Sequence, residues 1–498
     1  MNFSQARVRL VQAGAVFAAV ALVAGCGNNY RPVVTPTNPS GPAAQPQSLA
    51  VVVTAPSPTT PGIATVIDYA GDSILATASI GPGPTAFTLD ETGFNGYTYN
   101  SDHTLTNIPV STTMQTRNVT YSTLPSTAMP LNLYSPSTGL WATDLYGNLA
   151  DVFTLSPETL LLSIPLAPTP VMVIGPALGV RRYFALSQNL VTSINPNPTG
   201  LECNNSPTTQ PFGVVTPIEV ASYTTDTQIT VGKCPVYAVQ SSDAARLFVI
   251  NRGSDTITVI NAQYGTLDAC TPFLNQAGRT VTCHPTLPLS TSAGLAQDAN
   301  NDVPAVAGPV YAEYNVAKNL LVVADYAGNT ISVIDVSLDE YGNDSSTFGA
   351  TYTIPVGHNP ANVTVLYDGS RAYTANQADQ TVTIANLSSY TVEKTLPVTG
   401  YPRTVVSTQN SSYGKVYVGS PNTDFLTIIR TDQDIVDTTI LLEGDIVDVR
   451  VTTQNGSSGN SNIVSRIPGY GQPCNLPPGV MVSTYGASYT LANCQKQP

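Results

Sequence analysis

The side chains of this chain that could do chemistry are few and scattered. There are three histidines, His103, His284 and His358, and charged residues make up only 10% of the sequence. A hydrolase would need an imidazole, a guanidinium and carboxylates that converge on one point. Lys233, Arg252, Asp255, Asp325, His358, Asp379 and Arg403 are the residues that could supply such a set, with Tyr326 and Tyr401 beside them as binding groups. None is assigned a catalytic role. A catalytic metal centre takes three protein ligands as a rule, and His103 and His358 are far apart in the chain, so no metal and no cofactor is expected. The sequence contains no Gly-x-Ser-x-Gly elbow, no His-Glu-x-x-His, no Walker loop and no Cys-x-x-Cys. Asn251-Arg-Gly-Ser-Asp255 and Asp325-Tyr-Ala-Gly-Asn329 carry too few carboxylates for an EF-hand loop.

The elements that must position these residues repeat. Short apolar strands stop at Asn100, Asp144, Ser187, Asn251, Asp325, Asn376 and Ser420, and a second strand starts four to seven residues later. A supersecondary unit recurring at this spacing means a propeller or a solenoid. Val, Ile, Thr and Tyr dominate, with Gly, Pro and Asn between them, so the chain reads as all-β. The polar stops read as caps of the following turn, bonding their own backbone. The clearest units are Arg246-Leu-Phe-Val-Ile-Asn251 with Thr256-Ile-Thr-Val-Ile-Asn261, Asn319 to Asp325 with Thr330-Ile-Ser-Val-Ile-Asp335, and Asp368 to Asn376 with Thr381-Val-Thr-Ile-Ala-Asn386.

These units resemble the YVTN-type β-propeller repeat of bacterial and archaeal surface proteins. The resemblance covers residues 232–443 well and 81–231 loosely. It implies four-stranded antiparallel blades, strand A innermost and D outermost, with Gly-x-x-Pro turns (Gly81 to Pro84, Gly232 to Pro235, Gly357 to Pro360) joining D to the next A. The glycine of each turn is expected to take an unusual backbone angle. D–A turns and B–C loops then share one face, which carries the nine residues above. The C–D loops lie on the opposite face.

Seven whole units and a split closing blade give eight blades, with seven as the alternative. The closing blade is read as strand C at Ala64 to Asp68, D at Ser73 to Ile80, A at Asp445 to Val451 and B at Ile463 to Ile467, so that N- and C-terminal strands close the ring. Alternatively, Val480 to Val482 and Tyr489 to Ala492 supply outer strands. Two insertions, 195–216 and 262–305, are each read as following a C strand.

The N-terminus reads as a bacterial lipoprotein signal: Arg7 and Arg9, an apolar run from Val11 to Val23, then Val23-Ala24-Gly25-Cys26. Similarity to lipoproteins implies diacylation of Cys26, and Gly27 after it implies outer-membrane sorting. Residues 27–60, rich in Pro, Ser and Thr, read as a disordered tether. The propeller is assigned to 61–470 and a tail to 471–498. Six cysteines remain for disulfides in an oxidising compartment. Proximity favours Cys270–Cys283 and Cys474–Cys494, and Cys203–Cys234 follows by elimination. That last pair is geometrically awkward if Cys203 and Cys234 lie on opposite faces.

A net charge of −13 argues against nucleic-acid binding. The functional expectation is a membrane-tethered binding or scaffold module whose ligand is an envelope protein or a glycan. The alternative is a lactonase-like or other propeller hydrolase with its site at the channel mouth.

Overall fold

The computed structural model describes residues 49–452 apart from internal stretches, of which 191–210 and 290–306 are the longest, together with Val482–Thr484 and Ala487–Tyr489. Among the described residues there is no helix. Eight antiparallel sheets follow one another around a ring, an eight-bladed β-propeller.

Blade 1 runs Pro84–Leu89, Asn95–Asn100, Thr104–Pro109 and Tyr121–Thr123, and blade 2 runs Pro130–Tyr134, Leu140–Asp144, Leu149–Phe153 and Leu160–Pro165. Blade 3 is Pro170–Ile174, Arg182–Ser187, Phe212–Glu219 and Ile229–Lys233. In blade 4, Pro235–Gln240, Arg246–Asn251 and Thr256–Asn261 are strands A to C. Blade 5 is Pro309–Asn315, Leu320–Asp325, Thr330–Asp335 and Thr351–Pro355. Blade 6 is Pro360–Val365, Arg371–Asn376, Thr381–Asn386 and Thr391–Pro397, and blade 7 is Thr404–Ser407, Lys415–Gly419, Phe425–Arg430 and Ile435–Leu441. Six A strands begin with proline, where no ladder donor is needed. Strands A to C are clamped between neighbouring blades and are buried on both faces, as Leu320–Asp325 is throughout. Outer strands such as Thr391–Pro397 are mostly exposed.

Blade 8 closes the ring. Its inner strand is Asp445–Val451, and its other three strands, Leu49–Ala55, Pro61–Asp68 and Ile74–Pro82, come from the N-terminal side. Strand B is therefore Leu49–Ala55, inside the stretch read as tether, and the propeller begins before residue 61. Ile463 to Ile467 lie outside the described residues. Leu-Ala-Val-Val-Val-Thr-Ala is almost wholly buried, as a central strand should be. Its prolines lie only on the flanks, at Pro46 and Pro56. Val482–Thr484 and Ala487–Tyr489 pair with each other and add no strand to a blade.

Two further expectations are corrected. The insertion containing Cys203 joins strand B of blade 3, ending at Ser187, to strand C, starting at Phe212. These two ends lie on the D–A/B–C face, which also carries Cys234, so the geometric objection to a Cys203–Cys234 bond, which assumed a C–D connection, is gone. Cys234 is disulfide-bonded; Cys203, Cys474 and Cys494 lie outside the described residues. The second insertion interrupts strand D of blade 4 rather than preceding it. Thr266–Leu267 and Thr286–Pro288 both pair with Thr256–Asn261. The excursion between them is closed by Cys270–Cys283 (S–S 2.04 Å) and carries a small hairpin, Phe273–Leu274 against Thr280–Val281.

The polar stops do more than cap a turn. Asn376 Nδ2 donates to the hydroxyls of Thr381 (3.0 Å) and Thr383 (2.7 Å), and Asn100 Nδ2 to those of Thr104 (3.0 Å) and Thr106 (2.9 Å). Both asparagines are fully buried, and their amides bond strand C hydroxyls, Asn100 Nδ2 reaching the Thr104 carbonyl (3.1 Å) as well. The Thr106 hydroxyl also accepts from Gly81 N–H at 3.1 Å, which ties the D–A turn into the same knot. This is why the turn needs glycine: a Cβ on Gly81 would stand 2.2 Å from Asn100 Nδ2. The left-handed backbone angle falls instead on the residue before proline, as at Gly83, Cys234 and Asn359. Gly81→Ala is expected to destabilise the protein by about 1–3 kcal/mol through this overpacking. Chemical denaturation checks it, and an unchanged midpoint would mean that the turn can shift freely.

Candidate functional site

The nine residues singled out in the sequence do fall on the D–A/B–C face, spread over the turns and loops of blades 3 to 7. The structure sorts them into two kinds. Arg252, Asp325 and Arg403 are buried. Arg403 Nη2 donates to the Val447 carbonyl at 2.7 Å, tying blade 7 to blade 8. Asp325 is the polar stop of blade 5, and its Oδ2 accepts from Ser332 (2.6 Å) and Thr330 (3.1 Å). Burial pushes its carboxyl up to about 7; the two hydroxyls oppose this, and the charge of Asp255 adds to it. Arg252 N–H donates to the Cys234 carbonyl at 3.0 Å.

The other six reach solvent to different degrees. Asp255 Oδ1 accepts from Gly308 N–H at 2.8 Å, bridging blades 4 and 5. Burial raises its pKa, while that N–H and the Arg252 charge pull it back. Lys233 Nζ lies 5.6 Å from the centroid of the Phe212 ring. The Tyr326 carbonyl accepts from Asn359 Nδ2 at 3.4 Å, and Tyr401 N–H donates to Asn422 Oδ1 at 2.7 Å. His358 is exposed, with Nδ1 2.9 Å from Asp379 Oδ1 and its backbone N–H donating to Asp379 Oδ2 at 2.7 Å.

His358–Asp379 is thus the one close imidazole–carboxylate pair among the nine. An exposed imidazole held this way can donate or accept a hydrogen bond to a ligand. The remaining candidates do not converge on it, because Asp325 is committed to strand C of its own blade and Arg403 to the neighbouring blade. His103 sits on the same face in blade 1, bonded through Nδ1 to the Tyr99 hydroxyl at 2.7 Å. Among the described residues, no group of three or more His, Cys, Asp or Glu could hold a metal ion.

Sequence reasoning missed two sets of polar side chains. One lines the inner ring. The inner edge of each A strand lacks a neighbouring strand, and polar side chains of the preceding blade reach it. Asn132 Oδ1 accepts from Val173 N–H (3.3 Å), Glu313 Oε1 from Val365 N–H (3.0 Å), and Arg450 Nη2 donates to the Phe87 carbonyl (3.2 Å). Arg450 is fully buried and paired with Asp448 at 2.8 Å. Its charge is felt by the buried phenols of Tyr237 and Tyr311, on strands A of blades 4 and 5.

The other set joins blades on the C–D side. Arg371 pairs with Asp434, Lys415 with Asp72 (2.6 Å) and Arg246 with Asp344 (3.6 Å), each from the start of strand B to the C–D turn of the next blade. Arg182 Nη1 similarly donates to the Gln263 carbonyl at 2.8 Å. Each of these four cations stands five residues before a polar stop, a spacing that could have revealed them. The disulfide-closed excursion docks here too. Buried Asp344 accepts from His284 N–H (3.1 Å) and lies 2.8 Å from its Nδ1, and Arg279 Nη2 reaches Asp339 at 2.7 Å.

No protein-family model matches the chain, and no curated protein matches it. Among solved structures, apo AztD from Citrobacter koseri is similar with a TM-score of 0.53 and 10% identity, over 81% of this chain and 98% of that one. The dihydro-heme d1 dehydrogenase NirN, in complex with DHE, is similar with a TM-score of 0.52 and 14% identity, over 86% of this chain and 80% of that one. At these identities the likeness is one of fold, and the fold shared with these proteins is the β-propeller.

Proposed function

We propose that this chain is a YVTN-type propeller lipoprotein, anchored through Cys26 to the outer membrane of a Gram-negative cell, that binds or scaffolds at the envelope through its D–A/B–C face. The observation that carries the reading is the sorting just described. Asp325, Arg403 and Asp255, which a catalytic constellation would need, are spent on bonds within a blade or between blades. Left facing solvent is a polar and aromatic surface: His358 and Asp379, with Tyr326, Tyr401 and Lys233 half-buried on the same face. Such a surface on a rigid ring suits an envelope protein or a glycan.

The test is a His358→Ala, Tyr326→Ala and Tyr401→Ala triple variant of the full chain, with site-specific photo-crosslinking in cells. These side chains are exposed or half-buried, so the unfolding midpoint should stay near that of the wild type. Loss of every cross-link formed from this face, at least about tenfold for a surface holding the main anchors, is expected. Cross-links that persist unchanged would remove the face assignment. An intact mass lacking a diacylglycerol on Cys26 would remove the anchor.

A further inference from the structure

Exposed apolar side chains are distributed unevenly between the two ends of the ring. Fourteen large ones are exposed among the described residues. Eleven of them stand at the A–B/C–D end, at the start of a D strand, in an A–B or C–D turn, or on the disulfide-closed excursion. Leu75 (57% exposed) and Leu161 (52%) open the outer strands of blades 8 and 2, Tyr352 (47%) that of blade 5, and Leu274 (70%) tips the excursion from blade 4. The band therefore runs round the circumference, with Leu75 and Leu274 on opposite blades. A soluble protein rarely gathers exposed apolar groups this way without a partner.

The course of the chain says which partner. Strand B of each blade runs from the A–B/C–D end toward the other face, so the chain enters the ring at Leu49 on the apolar side. Residues 27–48 can span at most about 80 Å fully extended, so a lipid on Cys26 holds this end near the bilayer. The cations at this end are held in pairs with carboxylates, Lys415–Asp72, Arg371–Asp434 and Arg279–Asp339 among them, and further carboxylates such as Asp68, Asp335 and Glu393 stand at the same end. With a net charge of −13 on the whole chain, an anionic surface would repel the body, and a zwitterionic one would not.

We infer that the A–B/C–D rim is a membrane-docking surface that rests on zwitterionic lipid while the D–A/B–C face points away from it. The inference builds on the proposed lipid anchor, which brings this rim to the bilayer. Leucine and aromatic side chains at a rim of this kind sit at the headgroup level, where their apolar parts leave water.

Single tryptophans test it. Leu75→Trp and Leu274→Trp place reporters on opposite sides of the rim, and Phe425→Trp places one at the far end; all three positions are exposed, and the native Trp141 is buried and serves as a constant background. The full acylated protein is reconstituted in phosphatidylcholine vesicles with and without brominated acyl chains. Both rim variants should lose about half of their added emission, and Phe425→Trp should lose almost none, because interfacial side chains reach the acyl boundary. Vesicles rich in phosphatidylglycerol should weaken the rim quenching. Protein that floats with the vesicles but shows no quenching at the rim, or equal quenching at Phe425→Trp, overturns the docking surface and leaves the anchor standing. Emission changes that need added envelope proteins, and not lipid, assign the rim to a protein and also overturn it. If the chain carries no acyl group, the anchor reading fails alone, and the same variants added to vesicles from solution still decide the rim by their quenching.

Discussion

Replacing Glu313 by Gln is expected to stabilise the propeller at pH 8 by on the order of 4 kcal/mol and to change little at pH 4. Glu313 sits on the inner strand of blade 5, with its Oε1 accepting from Val365 N–H at 3.0 Å and no basic partner among the causes of its shift. Burial pushes its carboxyl up to about 8, and the Val365 N–H and Thr364 hydroxyl only partly oppose this. In the unfolded chain the same group titrates near 4.5. The folded state therefore binds the proton more tightly than the unfolded state. Below pH 4.5 both states are protonated and the acid has no effect on the balance. Between 4.5 and 8 the folded state must keep a proton that the unfolded chain gives up, so stability falls as pH rises, and the loss is complete above 8. Asp325, pushed up to about 7 by burial, adds a slope of the same sign. Gln matches the shape of the neutral acid and keeps an acceptor for Val365. Urea denaturation from pH 4 to 9 should show the wild type losing stability through this window and Glu313→Gln losing less. Parallel curves for the two would show that the carboxyl is relieved by water or by a cation.

Arg450→Ala is expected to cost about 3–5 kcal/mol, because the truncation leaves a buried carboxylate without its counter-charge. Arg450 is wholly buried on the last strand of the ring, bonded to Asp448 at 2.8 Å and to the Phe87 carbonyl at 3.2 Å. Asp448 keeps bonds from Thr404 Oγ1 (3.2 Å) and Val449 N–H (2.9 Å), but its charge would be left without the guanidinium. The double variant Asp448→Leu/Arg450→Met removes both charges, and it should recover most of the loss, because the attraction within a buried pair is largely offset by desolvation. Urea denaturation of the wild type and both variants measures this. A double variant as unstable as Arg450→Ala would show instead that the bond to Phe87, which joins the closing blade to blade 1, dominates.

The parts of this fold that are legible in the sequence are those that one blade determines for itself. Asn376 five and seven residues before Thr381 and Thr383 makes a buried knot that recurs at Asn100, Asn251 and Asp325, and with the other polar stops it lets the repeat, the faces and the count of eight be read. Leu49–Ala55 cannot, because prolines flank it and its partner, Asp445–Val451, is almost 400 residues away. Strand C of blade 3 is displaced for a similar reason. Leu190-Val-Thr-Ser-Ile-Asn195 has the β-branched composition of a strand C ending in Asn, while the true strand, Phe212–Glu219, contains Pro217, which pairs opposite Phe184 and argues against a central position. The candidate face is legible, but its chemistry is easily overread. Only its place in the repeat, at a polar stop, separates Asp325, whose carboxylate is sealed in, from the solvent-facing Asp379 three residues beyond the stop Asn376, and nothing in the sequence separates an exposed loop arginine from Arg403. Glu313, Asp448 and Arg450 are invisible as a set because each gains its meaning from the strand of the next blade.

The shared closing blade also fixes an order of events. Three strands of blade 8 are the first of the ring to be synthesised, and the fourth, Asp445–Val451, is among the last, with Ala50 opposite Val451 in the finished sheet. Until that strand arrives, the innermost edge of the first-made sheet is an open template, and the loop that must close to fill it is nearly the whole protein. A chain halted anywhere before residue 445 is thus a row of blades with two live edges, able to join another such chain as readily as itself. Completion of synthesis, rather than the gain of any one blade, converts an associating intermediate into a closed molecule.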